Sequence, residues 1–278
     1  MRCAGIVILF NPEDDIIRNI MSYVYCLDKL YIVDNSEIET QIENKINGLN
    51  LGDKIEYFSL KVNKGLSYAL NLGVQKAIDE GFDWLLTMDQ DSLFENNVVE
   101  IYKKYINSHD CTRIAVLAPQ YDTERSEIVR NNNVEEVYWT MQSANFINLK
   151  VLESIGEFEE KYFIDCIDYE FCLRAHKQNF IILRCNEAIL KHSPAINKKV
   201  YIWGKELNYG YTSPLRIYYQ VRNAFDMWKK YRELKALGII FVKLGKVIFL
   251  FDNKRAYFRA ICEGIRDCNN NQFGKKRG

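Results

Sequence analysis

Proline and histidine are scarce in this chain, at 4 and 3 of 278 residues, and glycine contributes only 14. Low-complexity, linker-like and disordered organisation are excluded by that scarcity together with 48% hydrophobic residues, and the length is ample for one large domain or two modest ones. No Cys-x-x-Cys pair occurs among the eight cysteines, at positions 3, 26, 111, 166, 172, 185, 262 and 268, and none has metal-ligand spacing. Several stand in apolar runs such as Phe171-Cys172-Leu173, so reduced core thiols of a cytoplasmic protein are expected. The longest apolar stretch, from Ala236 to Phe251, is broken by Lys243 and Lys246, and no membrane span is expected. The apolar start ends early, at Asn11-Pro12, without the small-residue pattern of a signal peptide. Net charge is zero, and no nucleic-acid partner is expected. Both common phosphate cradles are missing, since no Gly-x-Gly-x-x-Gly follows the first apolar run and no Gly-x-x-x-x-Gly-Lys-Ser/Thr occurs anywhere.

Charge is present but unevenly placed. Residues 213–278 hold 15 Lys and Arg against 5 Asp and Glu, whereas residues 1–212 hold 22 against 32. That split divides the chain into an acidic body over 1–212 and a basic C-terminal extension over 213–278.

In the body, continuously apolar runs at Ala4–Phe10, Lys29–Asp34, Lys54–Ser59, Phe82–Met88 and Ile114–Pro119 read as strands buried on both faces. Segments of helical period near 13–26, 37–47, 66–80 and 95–107 lie between them, so a mostly parallel sheet flanked by helices is expected. A further strand at Phe180–Arg184 and helices over 215–231, 233–251 and 253–267 complete the reading. Ligands of open parallel sheets bind beyond the carboxyl ends of the strands. The residues there are Asn11-Pro12, Asp34-Asn35-Ser36, Asn63-Lys64-Gly65 and Asp89-Gln90-Asp91-Ser92, four polar loops on one rim.

Asp89 and Asp91, spaced i and i+2 at a strand end, project to one side and offer two hard oxygen donors suited to Mg²⁺ or Mn²⁺. Asp168 and Glu170 precede a helix amid Ile164, Ile167, Phe171 and Leu173, where a carboxylate could act as general base, and Asp165 lies in the same run. The residues alone leave open which of the three acts. His192 is a candidate metal or phosphate ligand, Asp34 a candidate partner for a pyrimidine base, and Lys64, Arg216 and Arg222 candidate phosphate contacts.

These segments, in this order, are similar to the inverting glycosyltransferases of family 2, of GT-A fold, and to their bacterial rhamnosyltransferase branch. The segments are residues 6–12, 33–36, 63–65 with 69–73, 86–92, 163–174, His192-Ser193-Pro194 and Ser213-Pro214-Leu215-Arg216-x-Tyr218-Tyr219-x-x-Arg222-Asn223. The resemblance implies a GT-A, Rossmann-like sheet with a helical C-terminal extension. It further implies an enzyme moving a sugar, L-rhamnose from dTDP-L-rhamnose, to a hydroxyl of a cell-surface polysaccharide or lipid-linked glycan.

Position by position, the resemblance has Asp34 holding the base, Asn63, Lys64 and Gly65 lining the nucleoside pocket with Asn11 and Arg222 near the donor, and Asp91 with Asp89 and His192 binding the metal. Asp168 matches the family's catalytic base. The residue before it is Ile167 where the family has Glu, which leaves Asp165 and Glu170 as substitutes. Two other readings are a sugar-nucleotide pyrophosphorylase, which needs a Gly-rich loop where this chain has Asn11-Pro12, and an inactive binding protein of the same fold, against which Asp91, Asp168 and His192 argue. The basic, apolar C-terminal helices are expected to contact the inner membrane face or to form a homodimer.

Overall fold

Alternate residues of the first strand enter opposite layers of the core: Ala4, Ile6 and Ile8 pack on one side of the sheet, Cys3, Val7 and Leu9 on the other. Burial on both faces is what a continuously apolar strand requires. The computed structural model describes all residues except 39–40, 95, 124–126, 192–195, 203–204 and 277–278.

Strands β1 (Cys3–Leu9), β2 (Lys29–Asp34), β3 (Ile55–Ser59) and β4 (Trp84–Asp89) form a parallel block in the order β3-β2-β1-β4. Helices α1 (Ile16–Met21), α2 (Ile42–Asn47) and α3 (Leu66–Asp79) connect them, so all four strands end on one edge. The first two helices are shorter than their periodic segments; the one expected over 13–26 stops at Met21, and Val24–Cys26 forms a separate 3₁₀ turn. Helix α4 (Val98–Ser108) starts where the Asn97 side chain accepts from the Glu100 N–H at 3.3 Å.

Beyond β4 the sheet becomes mixed. It adds β5 (Leu93–Phe94), β6 (Ile114–Asp122), β7 (Val134–Glu136), β8 (Asn145–Asn148) and β9 (Ile181–Lys191), with the helices α5 (Leu149–Ile155) and α6 (Ile167–Lys177) between the last two. The spatial order is β3-β2-β1-β4-β8-β6-β9-β5, with β7 beside β9. β8 runs antiparallel to both β4 and β6, and β6 runs parallel to β9, so six of the nine strands share one direction. The mostly parallel sheet expected from the sequence is thus present. The short antiparallel strands β5, β7 and β8 were not expected, because two to four residues are too few to show a period.

A hairpin of β10 (Ile196–Ile202) and β11 (Lys205–Tyr211) precedes three helices, α7 (Pro214–Tyr231), α8 (Leu234–Phe249) and α9 (Lys254–Asn269). Ser213 caps α7 by accepting from the Arg216 N–H at 3.3 Å, and Pro214 follows where its missing N–H is no loss. Packing continues across residue 212: Ala224, Met227 and Ala236 belong to the same apolar cluster as Ile6, Val33 and Phe171. The Asn223 amide donates to the carbonyls of Ile164 (2.9 Å) and Asp165 (2.8 Å), tying α7 to the segment that leads into α6. All eight cysteines are free; five are buried, and Cys262 is exposed. Among the described residues no helix is long and apolar enough to cross a membrane.

Candidate active site

A cleft of about 500 Å³ opens where the parallel strands end. One wall carries Asn35, Asn63, Gly65, Asp89 and Asp91 from the strand side; the other carries residues 163–169, then Arg216 and Gln220 of α7 and Ile239 and Lys243 of α8.

The loop after β3 is shaped by its own side chains. Asn63 Oδ1 accepts from the Asn35 amide (3.1 Å) and the Gly65 N–H (3.0 Å), while the Lys64 N–H donates to Asn35 Oδ1 at 2.9 Å. Gly65 sits at φ +95°, where a Cβ would stand 2.8 Å from the Phe163 carbonyl oxygen, so only glycine fits both the backbone and the approach. The Leu66 N–H then donates to that carbonyl at 2.7 Å, joining the two walls. The Lys64 ammonium turns away along α3, 4.4 Å from the Tyr68 ring centre, and is not among the cleft-lining groups. Asp34 is 3% exposed, its oxygens accepting from the Ser36 N–H (2.9 Å) and the Tyr57 hydroxyl (2.7 Å). Asn11 lies exposed beside it, its N–H donating to Ser36 Oγ at 2.8 Å.

Asp89 and Asp91 both reach the cleft. Burial first, then the neighbouring charges of Asp91 and Asp168, push Asp89 up to about 7, against the pull of Arg216. Carboxylates that hold one another's protons are relieved by a cation. Two carboxylates are hard oxygen donors of the kind Mg²⁺ or Mn²⁺ takes, although among the described residues no cluster of three or more His, Cys, Asp or Glu accompanies them. His192 lies outside the described residues.

The three candidate bases separate by what they touch. Asp165, at φ +69°, receives two parallel bonds from Arg216 (Nε 2.6 Å, Nη2 2.8 Å) and one from Gln220 at 3.0 Å. Glu170 is fully buried on the far side of α6, bound by Arg174 at 3.0 Å and by the Tyr231 hydroxyl. Asp168 faces the cleft, accepts from the Tyr169 N–H at 2.9 Å, and has no ion pair among the described residues. Burial, then the charge of Asp165, raises Asp168 to about 7. A base near neutrality is what proton abstraction from a hydroxyl requires. Ile167 is 2% exposed within the core cluster, so the position before Asp168 adds no carboxylate.

Arg222 requires a correction. It is 1% exposed, clasped by the Tyr218, Tyr219 and Phe273 rings, and donates to the Gly274 carbonyl at 3.0 Å, fastening the C-terminal segment rather than facing the cleft. Six helical residues correspond to a rotation of about 240°, so Arg216 and Arg222 cannot share one face of α7, and Arg216 has the cleft.

Gln142, Gln220, Ile239 and Lys243 are among the cleft residues that carried no catalytic or binding assignment from sequence. Gln142 is 7% exposed, and neither polar atom of its side-chain amide has a hydrogen-bond partner among the described residues. A buried amide left so is costly unless a ligand completes it. Its trace in the sequence is the polar run Gln142-Ser143-Ala144-Asn145, which carries no motif of its own.

Residues 6–172 match the family described as Glycosyl transferase family 2. The chain is 25% identical over 248 residues to the dTDP-rhamnosyl transferase RfbF of Shigella flexneri, covering 81% of this chain and 79% of that protein. Its fold is similar to that of a mannosyltransferase of Pyrobaculum calidifontis solved with GDP-Man and Mn²⁺, at TM-score 0.59 and 11% identity, covering 98% of this chain and 86% of the other. It is likewise similar to GalNAc-T7 solved with UDP, GalNAc and Mn²⁺, at TM-score 0.64 and 12% identity; 97% of this chain matches, but it spans only 56% of that one.

Proposed function

The chain belongs to glycosyltransferase family 2, and from that premise we propose that it transfers L-rhamnose from dTDP-L-rhamnose, with inversion, to a hydroxyl of a polysaccharide or lipid-linked glycan acceptor. The observation that carries this reading is the opposition, within one cleft, of Asp168, a carboxylate raised to about 7 with no ion pair among the described residues, to an acidic strand end and a carboxylate-anchored cation, Arg216. The 25% identity to RfbF, a dTDP-rhamnosyl transferase, supports the choice of donor.

Asp168 takes the proton from the acceptor hydroxyl as its oxygen attacks the anomeric carbon, and the nucleoside diphosphate leaves from the opposite face. One carboxylate suffices for such a displacement, and no covalent nucleophile is needed. Asp89 and Asp91 would hold Mg²⁺ or Mn²⁺, which supplies positive charge to the departing diphosphate; both neighbours of known structure named above contain Mn²⁺. Arg216, held bidentately by Asp165, presents a fixed cation to the same anion. The buried Gln142 amide, with its NH2 donors and its carbonyl oxygen both unpartnered among the described residues, would need a small side-chain movement to meet a sugar hydroxyl. Asn63 and Gly65 would line the donor's nucleoside, with Asp34, Asn11 and the backbone of Lys64 behind them, and His192 remains a proposed ligand of the metal or diphosphate.

A donor panel tests the reading. Transfer and slow hydrolysis are measured with dTDP-L-rhamnose, UDP-sugars and GDP-sugars, each with and without Mn²⁺. Turnover greatest with dTDP-L-rhamnose and dependent on metal is expected. A preference for another donor overturns the rhamnose assignment, and consumption of nucleoside triphosphate with a sugar phosphate overturns glycosyl transfer altogether.

A further inference from the structure

Helix α8 is apolar on two faces, and only one of them is covered. Ala236 and Val247 are buried, and Ile239 and Ile240 pack against the main core, so the inner face closes the molecule. On the outer face Leu234, Phe241, Val242, Ile248 and Phe249 are 73%, 66%, 58%, 38% and 80% exposed. With Gly238 and Gly245 they recur at i, i+4, i+7, i+8, i+11, i+14 and i+15, an unbroken helical stripe. A Cβ placed on either glycine would meet nothing within 4 Å, so the stripe lies open along its whole length.

No acidic residue interrupts α8. Just past its end Lys254 and Arg255 are exposed, and Phe258 and Arg259 follow on the outer face of α9, within a segment of 15 basic and 5 acidic residues. A two-fold dimer through this stripe would set the same basic surface against itself. An anionic bilayer offers what that surface lacks, a negative plane beside an apolar layer. At 16 residues α8 is about 24 Å long, and no described helix can span a bilayer, which leaves lying in the interface.

We propose that the outer face of α8, with the adjoining basic residues of α9, seats the enzyme on an anionic membrane surface. Ile239 and Lys243 of the same helix line the catalytic cleft, so seating α8 brings the cleft to the headgroup layer. On the catalytic reading above, that deepens the acceptor class to a saccharide carried on a membrane lipid.

Vesicle flotation of the full chain, without donor or acceptor, tests the seating independently of catalysis. The protein is expected to float with phosphatidylcholine vesicles containing phosphatidylglycerol, to float far less with phosphatidylcholine alone, and to be partly released by salt. Phe241→Ser with Phe249→Ser should reduce flotation at least tenfold, and Lys254→Glu with Arg255→Glu severalfold. Both variants should turn over a short soluble acceptor as the parent does, which shows them folded. Equal flotation with neutral vesicles removes the charge argument and overturns the proposal. So does failure to float by a protein eluting as a dimer that the Phe241→Ser, Phe249→Ser change splits, and so does failure to float as a monomer.

Discussion

The strand wall of the cleft and its helical wall differ in charge and in how the chain reaches them. Asp89 and Asp91 stand at the end of one buried strand, β4, with Asn63 and Gly65 beyond the end of β3 in the same parallel block. Arg216 and Lys243 arrive from α7 and α8, more than 100 residues later, out of the basic C-terminal quarter of the chain. Between them lies the run 163–168, stitched to the strand wall through Gly65 and Leu66 and to the helical wall through Asn223 and Arg216. On the proposed reading, an anion with several charges would be gripped from two sides. The acidic side needs a cation to accept it, whereas the basic side accepts it directly.

The contrast can be broken hardest at its centre. Asp168→Asn should lower transfer by roughly 10²-fold or more while donor affinity stays near that of the parent, read by steady-state kinetics beside calorimetry. Near-normal turnover would move the base to Asp165, whose Asn variant is the control. On the strand wall, Asp91→Ala should weaken Mn²⁺-dependent binding of a nucleoside diphosphate by roughly tenfold or more, and undiminished affinity in calorimetry would discard the metal assignment. On the helical wall, Arg216→Ala should weaken the same binding by about tenfold without metal as well as with it. Asp165→Asn should act in the same direction but less, and add little to Arg216→Ala, since it acts by positioning that arginine. A fully additive pair would show that Asp165 has a separate role.

Glu170 sharpens the comparison by lying on neither wall. Glu170→Gln should destabilise the protein by about 1–3 kcal/mol in denaturant unfolding while leaving the turnover of the folded enzyme unchanged, because it weakens a buried contact with Arg174 and Tyr231. A specific loss of turnover would make it catalytic.

The smallest effect is with pH. Asp89 and Asp168 stand at about 7 in the fold, above the usual carboxylate value near 4, so between those values the metal-free native state keeps protons that the unfolded chain has released. Stability should therefore fall as pH rises from about 4 to 7, and Asp168→Asn should flatten that slope. Transfer should rise over the upper part of the same range and level off above it, since the base must be ionised. A thermal melting series with and without the substitution checks the first, and a kcat/KM profile the second.

Sequence alone determined the parallel block and the strand-end loops, because a strand buried on both faces must be continuously apolar and its end must turn polar at the rim. It likewise determined that Asp89, Asp91 and Asp168 are the carboxylates to watch, through their order along the chain. It could not choose among Asp165, Asp168 and Glu170: that depended on Arg216 arriving from α7 to occupy Asp165, and on Tyr231 from the end of α7 joining the neighbouring Arg174 on Glu170. Nor could it choose between Arg216 and Arg222, which only the rotation of α7 against the body separates. Gln142 and Lys243 were silent for the same reason. Local pattern records which face of an element is buried, whereas a site assembled from several elements exists only once their packing decides which polar groups meet.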